Sequence, residues 1–402
     1  MRNRSLGLTL FSGLALFVSA CTGGATSSPS TSAAASPSAS ASASASASAS
    51  ASESAAPSAS VVPLKIGVVT DVGTVNDKNF NEYTFLGAKM GSEALGGGEP
   101  PVFVPKDASE YKQGLQAYID EGFDVIVTAG FNLGVETTNA AQANPDTWFI
   151  GVDQGPPCVD ATGKADTTFK CEGDAATLLP KFVALSYQED QAGYLAGIAA
   201  ATMSKSGTIG AIGGITLCGP CIRYIQGFKL GAESVNPDIK VEVAWATESD
   251  FTKAFNDPVF GKSFGKQFIG TKKPDVLFQV AGKTGNGVLD AACEAGILGI
   301  GVDVDQALSY PNAAKCTLTS AQKSLALSVS EDIKMIAAGT MKGGDDHWDA
   351  SRDGIGYAPF HDLESQVPPD LKQKMDDAFE QMKAGTLVTC PEKCGDISTL
   401  GG

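Results

Sequence analysis

Three aspartates of the chain each come just after a short apolar run: Asp71, Asp153 and Asp303. Two phenylalanines, Phe80 and Phe255, stand among polar residues, in the segments KNFNE and AFNDP. Carboxylates accept hydrogen bonds from hydroxyl and N–H groups, and a phenyl ring offers a flat face for stacking. Together, these residue types suit the capture of a planar, hydroxylated small molecule.

Two glycine-rich patterns resemble nucleotide-binding motifs but lack their spacing. Ala281-Gly-Lys-Thr-Gly285 resembles the end of a phosphate-binding loop, yet Leu277 stands where that loop needs its first glycine. Gly282-x-x-Gly285-x-Gly287 follows an apolar run and begins a helical segment, but its spacing is not that of the dinucleotide fingerprint. We expect this segment to bring backbone N–H groups close to a ligand instead.

The composition argues against several classes of function. The chain has only two histidines, His347 and His361, so zinc chemistry and histidine-based triads lack their usual residues. We therefore expect no catalytic centre, no metal and no cofactor. The net charge of −16 over 402 residues argues against nucleic-acid binding, which needs patches of lysine and arginine.

The amino terminus is typical of an export signal. Arg2 and Arg4 precede an apolar run over residues 6–18, and Val18-Ser-Ala-Cys21 follows it. A basic start, a short apolar core and small residues predict a signal peptide over residues 1–20. The position of Cys21 resembles a bacterial lipobox, which implies lipid attachment at this residue. Because residues 25–60 contain only Ala, Ser, Thr, Pro and one Glu, we expect a disordered tether over residues 21–61.

Eight further cysteines form an even set, which indicates disulfides in an exported chain. Eight cysteines allow 105 connectivities, and the pairing of sequence neighbours is the simplest of them. That pairing joins Cys158 with Cys171, Cys218 with Cys221, Cys293 with Cys316, and Cys390 with Cys394. Cys218-Gly-Pro-Cys221 has the spacing of a redox motif. Since we expect it in a glycine-rich loop and not at the start of a helix, we interpret it as a structural clamp.

From residue 62 onward, apolar runs alternate with helical segments. Strands are predicted at 64–70, 123–128, 148–152, 208–212, 239–246, 276–280 and 298–302. Helices are predicted at 79–95, 133–144, 191–204, 224–235, 259–269 and 288–295. Two successive series predict an α/β fold of two doubly wound, Rossmann-like lobes with a ligand cleft between them. We expect residues 62–182 and 306–343 in lobe one, and residues 183–305 and 344–402 in lobe two.

The segment from Asp71 to Asn81, DVGTVNDKNFN, strongly resembles the D-x-G-x-x-x-D-x-S-F-N signature of the basic membrane protein family. This family consists of bacterial substrate-binding lipoproteins and includes a purine nucleoside receptor. Further resemblances follow in order: Ala129-Gly-Phe131, Gly193-Tyr-Leu-Ala-Gly197, Ile212-Gly-Gly214, Gln226-Gly-Phe-Lys-Leu-Gly231, Phe255-Asn-Asp-Pro258, Phe278-Gln-Val-Ala-Gly282, Gly301-Val-Asp-Val-Asp-Gln306 and Leu318-Thr-Ser-x-x-Lys323.

The resemblance implies a type I periplasmic binding protein architecture and a nucleoside ligand. It also implies an ABC permease and its ATPase as partners, and a lipid anchor on the extracytoplasmic face of the cell membrane. Phe80 and Phe255 resemble two rings that sandwich a nucleobase from opposite lobes. Asp71 resembles the carboxylate that hydrogen-bonds to the edge of the base. Phe131 is either a wall of the cleft or a core residue.

The resemblance also implies a polar clamp on the ribose hydroxyls. Asp153, Asp303 and Lys323 resemble its side chains, and the backbone of Gly282 resembles a further contact. Asp305 competes with Asp303 for its role, since both follow the same apolar run. Each of these aspartates could instead cap a helix that follows it.

Some features depart from the family pattern, and the sequence is compatible with more than one function. Asn79 stands where the signature has serine, and a polar segment over residues 156–179, bounded by cysteines, has no counterpart in the family. The same fold could bind a sugar or another polar solute. The chain could also be a sensory surface lipoprotein or an enzyme that cleaves nucleosides.

Overall fold

Twelve strands build the framework of the part of the chain that the structure describes, residues 63–400 of this computed structural model. The expected signal peptide, Cys21 and the tether lie outside the described residues. In chain order the strands are β1 (Ile66–Val69), β2 (Val102–Phe103), β3 (Val125–Ala129), β4 (Trp148–Val152), β5 (Phe182–Tyr187), β6 (Thr208–Ile215), β7 (Lys240–Thr247), β8 (Val276–Val280), β9 (Leu298–Asp303), β10 (Thr317–Lys323), β11 (Gly344–Trp348) and β12 (Ile355–Tyr357).

Twelve α-helices alternate with these strands over the same residues. They are α1 (Phe80–Ala94), α2 (Tyr111–Asp120), α3 (Gly134–Ala143), α4 (Ala175–Leu178), α5 (Glu189–Met203), α6 (Gly219–Val235), α7 (Phe251–Phe255), α8 (Pro258–Lys272), α9 (Gly282–Ala295), α10 (Gln306–Ser309), α11 (Leu325–Ala337) and α12 (Leu371–Lys383). Short 3₁₀ turns complete the connections. None of the helices within residues 63–400 has the length and apolar character needed to cross a membrane.

The strands form two six-stranded sheets, one for each lobe. The first sheet has the order β11-β5-β4-β3-β1-β2, and all of its pairings are parallel. The second has the order β12-β10-β9-β8-β6-β7, in which only the pairing of β12 with β10 is antiparallel. The central strands are buried along their whole length, as expected of parallel sheets covered by helices on both faces.

The chain passes between the two sheets three times: after β5, after β10, and between β11 and β12. These passages differ from the lobe boundaries expected from the sequence. Strand β5 extends the first sheet beyond residue 182, β10 pairs with β9 in the second sheet, and β11 returns to the first. Central strands of both sheets have the same apolar composition, so the pattern could not show which sheet a strand joins. Strand β11, GDDHW, has no apolar pattern at all.

Helices α5 and α6 cross at very short range in the second lobe because both carry glycines at the contact. A Cβ atom on Gly193 would lie 2.1 Å from the carbonyl oxygen of Tyr224, and one on Gly227 would lie 1.9 Å from that of Asp190. Any side chain there would force the helices apart. These glycines explain two of the sequence motifs, GYLAG and QGFKLG, as packing motifs that place Tyr224 beside the cleft.

Four disulfides join the cysteines that are sequence neighbours: Cys158 with Cys171, Cys218 with Cys221, Cys293 with Cys316, and Cys390 with Cys394. The first bridge closes the polar segment after β4. Within that segment, the carboxylates of Asp160 and Asp166 accept hydrogen bonds from backbone N–H groups and hold its turns. The segment therefore has a defined structure without an apolar core of its own.

Candidate ligand-binding site

The carboxyl ends of strands from both sheets meet at one cavity. This is the usual position of ligands in open α/β sheets. The first lobe contributes Asp71, Asp77, Phe80, Asn81, Gly130, Phe131 and Asp153 to the lining. The second contributes Cys218, Pro220, Cys221, Tyr224, Phe255, Val280, Gly282, Val302, Asp303 and Lys323.

The loop between β1 and α1 positions the first group of these side chains. Asp71 lies near its start, and Phe80 is the first residue of α1. Asp77 is buried and holds the loop, because its carboxylate accepts hydrogen bonds from the backbone N–H groups of Asn79 and Asn81, both at 2.9 Å. These bonds satisfy amide groups that the first turn of α1 leaves without partners. The ring of Phe80 is thereby placed at the cavity wall.

Asp153 and Asp303 occupy corresponding positions in the two lobes. Asp153 follows β4 of the first sheet, and Asp303 ends β9 of the second. Both have left-handed backbone conformations, with φ of 59° and 64°. This conformation is uncommon for residues other than glycine, and such outliers concentrate at functional sites. The two carboxylates therefore approach the space between the lobes from opposite sides.

Lys323, at the end of β10, joins these carboxylates in a buried cluster. Its Nζ lies 2.6 Å from Asp153 Oδ2, 3.2 Å from Asp303 Oδ1 and 3.9 Å from Glu189 Oε1. Burial works against the charge of Lys323, but the carboxylates outweigh it and raise its pKa above the ordinary value. Burial also raises the pKa of Asp153, although the ammonium group of Lys323 opposes that shift. Glu189 is further paired with Arg223, whose Nε lies 2.6 Å from it.

Asp71 has a different environment, in which no cation from the described residues 63–400 lies beside it. It is 8% exposed, and this burial raises its pKa to about 8. At neutral pH the carboxyl group is therefore mostly protonated and can both donate and accept a hydrogen bond. Gly130, with φ of 95°, makes room for it, since a Cβ atom there would lie 2.3 Å from Asp71 Oδ2.

Three phenylalanines line the cavity. The ring of Phe131, from the first lobe, lies 6.2 Å from that of Phe255 and 6.1 Å from that of Phe251, both in the second lobe. Phe131 is thus part of the cleft wall and also packs across the lobes. The ring of Phe80 lies 5.1 Å from Lys323 Nζ. Aromatic surface from each lobe is therefore available to a ligand inside the cavity.

The Cys218–Cys221 disulfide does not lie in a glycine-rich loop, as we expected, but at the start of α6. Cys218 is the N-cap residue, and its sulfur accepts a hydrogen bond from the backbone N–H of Cys221 at 3.1 Å. Pro220 fits in the first turn because no intrahelical hydrogen bond is lost there. Together with Pro220, both cysteines form part of the cavity wall.

All seven residues that the sequence singled out as ligand contacts lie around this one cavity. Their contacts with a ligand remain predictions. Asp305, the competitor of Asp303, lies outside the lining and pairs with His361 at 2.7 Å. Among the lining residues that the sequence analysis missed, Val280 and Val302 lie at strand ends, so the strand-end rule could have found them. Tyr224 lies within α6, where no sequence signal separates it from a core residue, and its hydroxyl donates to Asp303 Oδ1 at 3.3 Å.

A family comparison decides what kind of protein carries this cavity. Residues 64–383 match the Bmp family, described as "ABC transporter substrate-binding protein PnrA-like". The chain belongs to the Bmp family. This match spans nearly all of the two-lobed region, including every cavity residue named above. The resemblance noted at the first motif is thereby confirmed over the whole fold.

Two relatives and one solved structure illustrate the similarity. The chain is 30% identical over 233 residues to an ABC transporter nucleoside-binding protein of Lactococcus lactis, a match that covers 57% of this chain and 58% of that protein. It is 27% identical over 308 residues to an uncharacterised lipoprotein of Pyrococcus abyssi, covering 73% and 69% of the two chains. The crystal structure of a solute-binding protein from Aeropyrum pernix superposes with a TM-score of 0.68 at 20% identity, covering 82% and 94%.

The structural similarity confirms the predicted fold, since the Aeropyrum protein is described as a solute-binding protein of an ABC transporter system. The family assignment shows that this Bmp-family chain is a substrate-binding component of an ABC transporter and not an enzyme. Such a component binds a small molecule and acts together with a permease and an ATPase. The cavity between the lobes is the place in this Bmp-family protein where a small molecule would fit.

Proposed function

We propose that the chain is a lipid-anchored receptor that captures a purine nucleoside between its lobes and delivers it to an ABC permease. The observation that carries this proposal is the composition of one cavity, in which phenyl rings from both lobes stand together with carboxylates and one ammonium group. A nucleoside presents the complementary surfaces: a flat heteroaromatic base, N–H donors at its edge, and ribose hydroxyls.

In this proposal the base lies between Phe80 and Phe255. Aromatic stacking contributes about 1 to 3 kcal/mol per base in single-strand binding proteins, and two faces double the available contact. Asp71 hydrogen-bonds to the edge of the base. Because its carboxyl group is mostly protonated at neutral pH, Asp71 can match an edge that carries both a donor and an acceptor, as purines do.

The ribose is assigned to the cluster around Lys323. Asp153 and Asp303 accept hydrogen bonds from neighbouring hydroxyls, Lys323 donates to one of their oxygens, and the backbone at Gly282 adds a further contact. Since Asp153 belongs to one lobe and Asp303 and Lys323 to the other, a ribose between them would favour the closed arrangement of the lobes. A shift of population towards that closed state is what a permease could recognise.

Two comparisons support the finer parts of the proposal. The relative from Lactococcus lactis is named a nucleoside-binding protein, and the relative from Pyrococcus abyssi is named a lipoprotein. The lipobox-like Val18-Ser-Ala-Cys21 of this chain agrees with the second name. We infer that the protein is held on the extracytoplasmic face of the cell membrane by lipid on Cys21.

Isothermal titration tests the ligand class. The full-length protein, purified in detergent, is titrated with adenosine, guanosine, inosine, ribose and galactose. We expect binding of at least one purine nucleoside and no heat with either sugar. Stronger binding of ribose or galactose than of every nucleoside would replace the proposal with a sugar receptor, which the carboxylates of the cavity would also suit.

A separate experiment tests the anchor. Cells that express the protein are grown with labelled palmitate, and the label is followed in the wild type and in the Cys21→Ser variant. We expect label in the membrane-bound wild type and none in the variant. Equal labelling of both would contradict lipid attachment at Cys21 without touching the proposal on the ligand.

A further inference from the structure

A buried asparagine connects the second lobe to the ligand loop of the first. Asn286 lies in the second turn of α9 and donates from Nδ2 to the backbone carbonyl of Asp77, at 3.0 Å. Asn286 is 3% exposed, yet it is not part of the cavity lining. The donor and the acceptor belong to different lobes, so this hydrogen bond exists only when the lobes are together.

The orientation of the Asn286 amide is dictated by a chain of hydrogen bonds inside the second lobe. The backbone N–H of Ala281 donates to Gln279 Oε1 at 3.0 Å, and Gln279 Nε2 donates to Gln306 Oε1 at 2.5 Å. Gln306 Nε2 in turn donates to Asn286 Oδ1 at 2.9 Å. A backbone N–H can only donate and a backbone carbonyl can only accept, so every amide between Ala281 and Asp77 has one possible orientation.

A second bond fixes the middle of this chain independently. The backbone N–H of Val302 also donates to Gln306 Oε1, at 2.9 Å. The NH₂ group of Gln306 must therefore face Asn286, and the NH₂ group of Asn286 must face the first lobe. The three side-chain amides, Gln279, Gln306 and Asn286, are nearly or completely buried. A buried amide with one permitted orientation is a pre-organised donor, which loses little freedom when it binds.

Glycine at position 285 makes room for the chain. A Cβ atom on Gly285 would lie 1.5 Å from Gln279 Oε1, so any other residue would displace that side chain. Gly287 instead allows α9 to approach α8, since its Cβ atom would lie 1.9 Å from the carbonyl of Pro258. In the pattern Gly282-x-x-Gly285-x-Gly287, the second glycine thus makes room for the amides and the third for α8. Of the three, Gly282 alone lines the cavity.

The acceptor of this bond belongs to the loop that positions the proposed ligand contacts. The Asp77 carboxylate caps α1 and thereby places Phe80, while its carbonyl receives the Asn286 amide. A second bond reaches the next residue of the loop, from Ser309 Oγ to the carbonyl of Lys78 at 2.8 Å. Two donors of the second lobe therefore hold consecutive carbonyls of one loop in the first lobe.

We propose that Asn286 is a positioning residue for ligand capture. Gln279 and Gln306 orient its amide, which donates to the carbonyl of Asp77 when the lobes close and slows their reopening. We call this hydrogen bond the latch. The latch forms after closure and does not contact the ligand. It therefore acts on the rate of ligand release and not on the rate of ligand entry. This inference rests on the proposed function of capturing a ligand between the lobes.

The test uses Asn286→Asp, which keeps the acceptor for Gln306 but replaces the donor that faces Asp77. Stopped-flow binding with guanosine or inosine should show release roughly tenfold faster and association within twofold of the wild type. The matched control is Asn144→Asp, which removes a similar amide-to-carbonyl bond, at 2.8 Å, at the carboxyl end of α3 in the first lobe. We expect unchanged release for this control. Faster release in both variants, or unchanged release in Asn286→Asp, would overturn the latch.

Hydrogen exchange makes the test independent of the ligand. The described structure has the lobes together with the bond to Asp77 formed. Backbone amides of residues 71–79 should therefore exchange faster in Asn286→Asp than in the wild type without any added nucleoside, while those of β3 and β4 remain unchanged. Asn286→Ala serves as a second variant in case the aspartate prevents folding. If no nucleoside binds but residues 71–79 lose protection, the proposed ligand is wrong and the latch stands. If exchange over residues 71–79 is unaffected in both variants, the latch is wrong.

Discussion

Lys323 Nζ lies 2.6 Å from Asp153 Oδ2, and this ion pair joins the end of a strand in one lobe to the end of a strand in the other. The Lys323 side chain is 1% exposed. Within its own lobe, Lys323 also contacts Asp303 and Glu189. Closure of the lobes therefore brings the Asp153 carboxylate to a lysine that already contacts two other carboxylates. The positive charge of Lys323 offsets the free-energy cost of burying the Asp153 carboxylate.

Replacement of the lysine should weaken ligand binding strongly. In Lys323→Met, closure would bury the Asp153 carboxylate without a cation, and loss of one partner of a buried pair typically costs about 3 to 5 kcal/mol. We expect a fall in nucleoside affinity of at least a hundredfold by isothermal titration. Lys372→Met is the control, because its pair with Asp376 is exposed on α12. An affinity that survives in Lys323→Met would mean that closure does not bury Asp153.

The two rings of the proposed sandwich can be replaced by a side chain that stays apolar but has no flat face. Phe80→Leu and Phe255→Leu should each lower nucleoside affinity by about one to two orders of magnitude, because leucine cannot stack on a base. The measurement is titration with the same nucleoside, together with the melting temperature of each variant. Phe260→Leu is the control, since this ring stacks on Phe264 along α8 and lies outside the cavity lining. Wild-type affinity in both cavity variants would remove the sandwich.

The assignment of the ribose to Asp303 can be separated from the assignment of the base. Asp303→Asn keeps a residue that tolerates the left-handed conformation at φ of 64°, but its amide has one acceptor oxygen where the carboxylate has two, and it carries no charge. Affinity for nucleosides should fall at least tenfold, and affinity for the corresponding free bases should stay within threefold. Competition titrations with guanosine and guanine measure both. A loss of equal size for nucleoside and base would place Asp303 away from the sugar.

Two buried carboxyl groups should make the protein less stable as the pH rises. Burial raises the pKa of Asp71 to about 8, and burial followed by the neighbouring Asp346 raises that of Asp332 to about 9, from an ordinary value of 3.8. Between pH 4 and pH 8 the folded chain therefore holds more protons than the unfolded chain. The free energy of unfolding consequently falls as the pH increases through this range.

Asp332→Asn isolates one of these groups, because Asp332 lies on α11 outside the cavity lining. The variant should unfold with a pH dependence that is shallower by up to about 1.4 kcal/mol per pH unit between pH 5 and pH 8. Denaturant titrations at several pH values provide the measurement. Asp370→Asn, an exposed residue paired with Lys374, should leave the slope unchanged over this range. Identical slopes in the wild type and in Asp332→Asn would refute the prediction.

Removal of two different disulfides should affect the stability of the protein and its affinity for nucleosides in opposite order. Chain-entropy arguments give about 3 kcal/mol for Cys293–Cys316, with its separation of 23 residues, and about 2 kcal/mol for Cys218–Cys221, with a separation of 3. Replacing the first pair by serines should therefore lower the unfolding free energy more. Replacing the second should weaken nucleoside binding more, since only Cys218–Cys221 lines the cavity. The opposite order of affinities would show that the wall at α6 does not shape the site.

The sequence predicted seven of the twelve strands within residues 63–400, because parallel strands have a simple pattern. The strands predicted at 148–152 and 276–280 have the observed bounds of β4 and β8. Helix starts were harder to predict where glycine or proline is needed for packing. Helix α9 begins at Gly282 and not at residue 288, because its glycines, poor helix formers, accommodate Gln279 and α8. Helix α6 begins at Gly219, ahead of the predicted residue 224, because Pro220 is compatible with a first turn.

The sequence could predict those site residues that lie at strand ends or within family motifs. These two signals pointed to Asp71, Asp153 and Asp303, which the structure places around one cavity. Contacts that depend on how the lobes meet carry no such signal. The bond from Asn286 to the carbonyl of Asp77 spans 209 positions of sequence and involves a backbone atom, so no residue type marks it in advance.

A crystal structure of the full-length protein with a bound purine nucleoside tests the central claim most directly. The account predicts the base between the rings of Phe80 and Phe255, with the ribose hydroxyls hydrogen-bonded to Asp153, Asp303 and Lys323. A nucleoside bound elsewhere, or held in this cavity with both rings turned away from the base, would contradict it.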